Sequence, residues 1–276
     1  MRRAGEGVGV GAGAGGSMAI PADDGAAVAP FKDYFSRQAA EYAGYRPTYP
    51  AELFAWLAAE APSRDAAWDV GTGSGQAAVG LAEHFARVEA TDPSATQLAH
   101  AVPHERIRYR QARGEDSGLA DTSASVVTIA QALHWLDLPA FWREVRRVLR
   151  PRGIVAAWGY DLVRVSPEVD AVVDHFYGVT LRDYWASERR LVDDHYRSVA
   201  FPFTELEPPP FAMRAMWPRE RLVGYLRTWS AVRTYLEREG RDPVADIEPA
   251  IAAAWPGGEP RTVRWSIFIR AGRVAG

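Results

Sequence analysis

At 276 residues, with 47% hydrophobic and 24% charged side chains, the chain has ordinary globular values that exclude wholesale disorder and fibrous repeats and suit one large α/β domain with an elaboration. A formal charge of -3 gives no general affinity for nucleic acid, and the absence of cysteine excludes a disulfide framework, thiol catalysis and Cys-ligated zinc. No apolar run approaches the roughly 20 residues of a membrane-spanning helix, and the "MRR" start leads into Gly and Ala rather than a signal-peptide core, so the expectation is a cytoplasmic protein with no membrane partner.

Residues 1–28 are rich in Gly and Ala with almost nothing to bury and predict a flexible tail, with Met18 an alternative start to Met1; the domain then covers 29–276. From Phe31, "FKDYFSRQAAEYAGYRPTYP" sets aromatics at helical spacing ahead of two prolines, a short helix and an ordered turn. "PAELFAWLAAEAP" reads as a helix with Pro50 near its start and Leu53, Phe54 and Leu57 on one face. "AAWDVGTGSGQAAVGLAEHFARVEATD" reads as a strand, a glycine turn, a helix through Phe85 and a strand ending at Asp92, which is a βαβ unit.

The alternation continues through helical "SATQLAHAV", the strand "RIRYRQA", the buried strand "SVVTIAQA", a helix over "LPAFWREVRRVL" closed by "RPRG", and the strand "IVAAWGY". Strands alternating with helices imply a parallel, doubly wound, Rossmann-like sheet. After Tyr160 the pattern turns mostly helical, with "SPEVDAVVDHFYGV" and "LRDYWASERRLVDDHYRSV" forming a helical cap at about 163–205. Helical "RERLVGYLRTWSAVRTYLERE" and "PVADIEPAIAAAW" separate two late alternating segments, "FAMRAMW" and "RTVRWSIFIRAG", that can extend one sheet edge.

"DVGTGSGQ" places Asp69 two residues ahead of Gly71, Gly73 and Gly75 on a strand-to-helix turn, where glycines permit close approach of a ligand and a helix N-terminus favours its carboxylate or phosphate. A dinucleotide site expects G-x-G-x-x-G; here the third glycine comes one residue early, which disfavours a nicotinamide cofactor. An acidic residue ahead of the turn suits a cofactor bearing an ammonium and a carboxylate, the groups of S-adenosyl-L-methionine. Asp92, ending the second strand, is placed to accept both ribose hydroxyls, or else to cap the helix that begins at Ser94. Glu115 and Asp116 lie either beside the adenine edge or in a solvated loop.

Together "FSRQAAEYAGYRPTYP", "DVGTGSGQ", "VEATDPS", "QALHWLD" and "VRRVLRPRGIVAAWGY" resemble class I S-adenosylmethionine-dependent methyltransferases, and with "FPFTELE", "LRTWSAV" and "RTVRWSIFIRAGR" they resemble more narrowly the trans-aconitate methyltransferase-like enzymes of small molecules. The resemblance implies a seven-stranded sheet, mostly parallel with its last strand antiparallel, an N-terminal segment over the cofactor, and a variable cap that chooses the acceptor. It also implies Thr72, Gln76, Gln131, Tyr42 and Arg46 as cofactor contacts beside the residues above. Arg46 either forks onto a carboxylate or stacks on surface tyrosines such as Tyr45. One departure is Ser125 in "TSASVV", where such enzymes commonly carry an acidic residue.

Methyl transfer is an in-line displacement in which positioning can suffice for an acceptor that is already nucleophilic, such as a carboxylate, whereas a neutral hydroxyl or amine needs its proton removed. His134, just beyond the fourth strand, is either that base or, the favoured reading, a residue that packs or hydrogen-bonds near the cofactor. Trp135, Tyr160, Tyr184, Trp185, Tyr196 and Trp229 are candidates to line an acceptor pocket, although single aromatics at helical spacing are more often core. As a group they favour a small-molecule acceptor, a carboxylic acid among those allowed, over nucleic acid. No metal is expected, because His100 and His104 share a helix face only across Pro103. The alternatives are a methyltransferase of RNA or protein, and a cofactor-binding regulatory protein without catalysis. The sequence leaves the oligomeric state open.

Overall fold

The computed structural model describes residues 47–275. The expected tail over 1–28 and the segment bearing Tyr42, Tyr45 and Arg46 lie outside the described residues. The described chain opens with α1 (Ala51–Glu60), which buries Leu53, Phe54 and Leu57 as expected and stops at Ala61 ahead of Pro62. Strand β1 (Ala66–Val70) is buried throughout and leads through the glycine turn into α2 (Gln76–Ala82), which ends three residues short of the expected Phe85. After β2 (Arg87–Asp92) comes α3 (Ala95–Ala99), a short helix whose N-cap is Ser94, with its hydroxyl accepting from the Gln97 N–H; Pro103 follows close behind. The cap role therefore falls to Ser94 and not to Asp92.

Strands β3 (Ile107–Gln111) and β4 (Ala124–Ala130) precede α4 (Leu138–Val148), where Asp137 caps the Ala140 N–H at 3.2 Å and Pro139 occupies the first turn. Strand β5 (Leu149–Tyr160) already includes the "RPRG" segment expected as a turn, and its register against β4 shifts there, between Ala124 and Val126. Then come α5 (Pro167–His175), α6 (Arg189–Asp193), β6 (Thr204–Leu206), β7 (Phe211–Trp217), α7 (Arg219–Arg227), α8 (Ser230–Glu239), α9 (Pro243–Ala254) and β8 (Arg261–Arg273).

The sheet runs β3-β2-β1-β4-β5-β8-β6, with β1 to β5 parallel and β8 antiparallel to β5. It has eight strands where seven were expected. The reason is the 13-residue length of β8, whose outer side takes β7 against Arg261 to Ile267 and β6 against Ala271 to Arg273. The period-2 alternation of the central strands splits the core in two. Ala67, Val88, Val126, Ile154 and Trp158 face α1, α2 and the later helices. Trp68, Val70, Val127, Ile129 and Val155 face α4 together with Val192, Tyr196 and Val199.

Two stretches read as continuous helix are broken. Between α7 and α8 the Thr228 hydroxyl donates back to the Tyr225 carbonyl at 2.6 Å, and Trp229 turns extended (φ −70°, ψ 136°). Beyond α6, His195 and Tyr196 adopt left-handed backbone at φ 56° and 57°. Both breaks aim aromatic rings that a straight helix would have pointed elsewhere.

Candidate active site

The glycine turn between β1 and α2 holds Gly71, Gly73 and Gly75 at φ 62°, 56° and 86°, a region that glycine occupies without steric cost. A side chain at Gly71 would meet the Ala132 Cβ at 2.7 Å, and one at Gly75 would run into the Tyr109 hydroxyl, whereas at Gly73 the nearest atom would be Gln97 Oε1 at 3.8 Å. Packing therefore demands glycine at the first and third positions, and the second has space beside it among the described residues. The Gln76 amide donates to the Pro47 carbonyl at 2.9 Å, tying α2 to the entering chain.

Asp69 and Asp92 brace this turn. Asp69 is fully buried, and its two oxygens accept from Thr72 Oγ1 at 2.6 Å and Thr128 Oγ1 at 2.7 Å. Burial pushes its carboxyl up to about 6, against the opposing hydrogen bonds from Thr72 and Thr128 and with the Asp92 charge adding to the rise. Asp92 accepts from the Gly73 N–H at 2.9 Å and from the Ser94 N–H at 2.8 Å.

Glu115 accepts from the Asp137 N–H at 2.8 Å and pairs with Arg113 at 3.4 Å, so it fastens the loop after β3 to the start of α4; Asp116 bridges back to Arg113. Ser125 is buried with its hydroxyl 2.8 Å from that of Ser63, which in turn accepts from Arg150 at 2.9 Å, so the place of the usual acidic residue is taken by a neutral hydroxyl pair. Among the described residues no group of three or more His, Cys, Asp and Glu side chains is placed to hold a metal ion.

A cavity opens at the carboxyl ends of β4 and β5, the edge at which open α/β sheets bind ligands. Of the six aromatics singled out by sequence, Trp135, Tyr160, Trp185 and Trp229 line it. Tyr184 instead donates to Glu239 at 2.8 Å and packs on Tyr235, while Tyr196 is fully buried behind the wall. Gln131, expected at the cofactor, also lines the cavity in left-handed backbone at φ 56°, a conformation that costs a non-glycine residue about 1–3 kcal/mol. Its neighbour Ala132 is the residue against which Gly71 packs, so the glycine turn and the cavity share one short stretch of chain.

His134 lines the cavity with its Nδ1 3.1 Å from the Tyr196 hydroxyl and its ring 4.6 Å from that of Trp135. Burial, with the Arg189 charge second, pushes its imidazole down to about 3. A ring that weakly basic is neutral near pH 7.

Sequence reasoning missed Asp161, Tyr177, Arg189 and Tyr225, all of which line the cavity. The Arg189 guanidinium lies over the rings of Tyr177 and Trp185, 5.4 and 5.0 Å from their centres, and its Nε donates to the Tyr177 hydroxyl at 3.0 Å and to Asp193 at 3.2 Å. The Tyr177 hydroxyl donates on to Asp193 at 2.5 Å, and burial holds that phenol above its ordinary value. The only sequence signal for Asp161 is its place directly after the strand-ending Tyr160, and Arg189 stands among other charged residues in "SERR".

Known proteins share this architecture. Residues 68–157 match the profile of a methyltransferase domain. A Dictyostelium discoideum protein named as a methyltransferase is 31% identical over 229 residues, covering 82% of this chain and 87% of its own length. Methyltransferase pgmE of Aspergillus terreus is 32% identical over 135 residues, which are 43% of this chain and 40% of that protein. A solved structure from Anaeromyxobacter dehalogenans, described as a type II methyltransferase, has 50% identity and a TM-score of 0.79 over 83% of this chain and 98% of its own. With its parallel sheet, its glycine turn and these relatives, the chain belongs to the class I S-adenosylmethionine-dependent methyltransferases, enzymes whose cofactor is S-adenosyl-L-methionine.

Proposed function

We propose that this methyltransferase acts in the cytoplasm on a small organic acceptor that carries a carboxylate or comparable anion. Arg189 carries the reading. Its Nε is occupied by Tyr177 and Asp193, while its two terminal nitrogens have no hydrogen-bond partner among the described residues, and the side chain stands in a cavity walled by Trp135, Tyr160, Trp185 and Trp229. A planar guanidinium of that kind suits a forked contact to a carboxylate, and the aromatic walls suit a compact organic body. The resemblance to trans-aconitate methyltransferase-like enzymes supports the same class of acceptor.

S-adenosyl-L-methionine, when bound, supplies a sulfonium methyl group open to in-line displacement. Gly71, Gly73 and Gly75 would hold its amino-acid part, with Asp69 behind the turn and Thr72 and Gln131 beside it; Asp92 would accept from the ribose. The Gly73 turn, where among the described residues no atom comes closer than 3.8 Å to an added side chain, and the acceptor character of the Asp92 carboxylate fit these groups. His134, neutral and hydrogen-bonded, would shape the wall between cofactor and acceptor.

The test is an untargeted one: methyl-labelled donor and purified protein are added to a deproteinised metabolite extract, and the labelled product is identified by mass spectrometry. The expected product is a methylated low-molecular-weight acid whose formation falls in Arg189→Met while S-adenosylhomocysteine still binds. Label entering only RNA or protein in a whole lysate would sink the reading.

A further inference from the structure

We infer that Asp161 is the proton acceptor of the methyl transfer and that His195 is the residue that positions it. The inference rests on the small-molecule reading above and adds to it the class of atom methylated, a hydroxyl or amine that loses a proton.

Asp161 directly follows the last residue of β5, and its N–H is fixed to the Ser266 carbonyl of β8 at 2.9 Å. Its carboxylate lines the cavity, with Oδ1 2.7 Å from His195 Nε2 and Oδ2 without a hydrogen-bond partner among the described residues. His195 is held in turn: its ring stacks on Phe268 at 4.5 Å and 15°. The adjacent left-handed residues at 195 and 196 send the two rings to opposite tasks, His195 to Asp161 and Tyr196 to His134. Neither position is a glycine, so the surrounding fold must impose that turn. His195 donating from Nε2 occupies one carboxylate oxygen and leaves the other for the acceptor.

The other titratable and charged groups of the cavity wall are Tyr160, Tyr177, Tyr225, His134 and Arg189, and the Arg270 guanidinium donates to the Tyr196 carbonyl behind the turn. Tyr177 and His134 are already engaged, with Asp193 and Tyr196 respectively. Asp161 and His195 are each 39% exposed at the side chain, which gives an accepted proton a way out to solvent.

The step balances. A lone pair on the acceptor heteroatom forms the new bond to the methyl carbon, the sulfur–methyl bond breaks with its electron pair left on sulfur, and the heteroatom's proton passes to Asp161 Oδ2 while its bonding pair stays on the heteroatom. The proton then leaves Asp161 for water as product departs.

The experiment follows methyl-tritium from labelled donor into a deproteinised metabolite extract, using the full chain and its variants. Asp161→Asn is expected to lower label in small molecules by about 100-fold or more while S-adenosylhomocysteine binding, read by calorimetry, is unchanged. His195→Gln, which keeps an N–H donor, should stay within about threefold of wild type, and His195→Phe, which keeps only the stack, should fall by about 30-fold. The His195 Nε2 proton, identified by its loss in His195→Phe, should move in the NMR spectrum of Asp161→Asn. If Asp161→Asn loses S-adenosylhomocysteine binding, Asp161→Glu decides instead, and a rate no better than that of Asn overturns the inference. Wild-type label surviving in Asp161→Asn removes the proton acceptor alone; equal rates in His195→Phe and wild type remove the positioning role. Wild-type label that never enters small molecules removes the small-molecule reading and this one with it.

Discussion

The Nδ1 atom of His134 lies 3.1 Å from the hydroxyl of the fully buried Tyr196, and the same ring shares its cavity with the Arg189 cation. The histidine that stands out in the sequence is thereby held neutral and fixed in place. His134→Gln is expected to keep the rate within about threefold of wild type and to leave the rate profile above about pH 5 unchanged, as steady-state kinetics across pH would show. The sign for stability follows from an imidazole held down at about 3. Its contribution is complete above the free histidine value of roughly 6.5 and is lost as pH falls toward 3, so His134→Gln flattens the acid side of the stability curve. Denaturant midpoints at about pH 4 and pH 7 check this.

Asp69 titrates in the opposite sense. Its carboxyl is raised to about 6, so the folded state gains from this group below about pH 4 and loses that gain as pH climbs through 6. Asp69→Asn removes the titration. The stability lead of wild type over the variant should shrink by on the order of 2–3 kcal/mol between about pH 4 and pH 7, read by chemical denaturation. An unchanged difference across that range would show that the carboxylate is solvated.

The three glycines of the turn should separate. Gly71→Ala and Gly75→Ala each impose a left-handed alanine, about 1–2 kcal/mol, and also displace Ala132 or Tyr109, so both should lower the melting temperature by several degrees. Gly73→Ala carries only the backbone cost and should fold, yet its methyl group intrudes on the space above the turn. Calorimetry should find its S-adenosylhomocysteine affinity reduced by about tenfold or more with a smaller loss in melting temperature.

Asp92→Ala leaves the Gly73 and Ser94 N–H groups without their acceptor and removes the proposed ribose contact. The structural part should cost about 1–3 kcal/mol. Cofactor affinity should fall by about 100-fold, and Asp92→Asn, which retains one acceptor oxygen, should fall between wild type and alanine. Alanine and wild type binding S-adenosylhomocysteine alike would contradict the assignment.

Much of this was readable from the residues in order. The alternation of "WDV", "VEATD" and "SVVTIA" with amphipathic segments dictated a parallel sheet, because period-2 and period-3.6 patterns are properties of the local chain. The glycine series at 71, 73 and 75 likewise announced a tight strand-to-helix turn, since left-handed backbone is cheap only without a Cβ. Pro103 and Pro139 set a helix limit and a helix start by the same local logic.

The cavity beyond β4 and β5 was decided by tertiary structure. Arg189 carries no local mark and Asp161 only its place after the strand-ending Tyr160; both line the cavity because α6 lies at the carboxyl ends of β4 and β5, bringing together segments far apart in sequence. The left-handed backbone at Tyr196 sits on a bulky residue that rarely adopts it, and its surroundings hold the pair: His195 stacks on Phe268, the Tyr196 hydroxyl meets His134, and Arg270 donates to the Tyr196 carbonyl. Tyr184, by contrast, ends a single 3-10 turn (Arg182–Tyr184), too short for a periodic pattern to say which side faces inward, and it meets Glu239 and Tyr235 instead. The sequence by itself determined the sheet and the glycine turn, whose causes are local; which charged groups line the cavity depended on how the helical segments pack at the carboxyl ends of the strands.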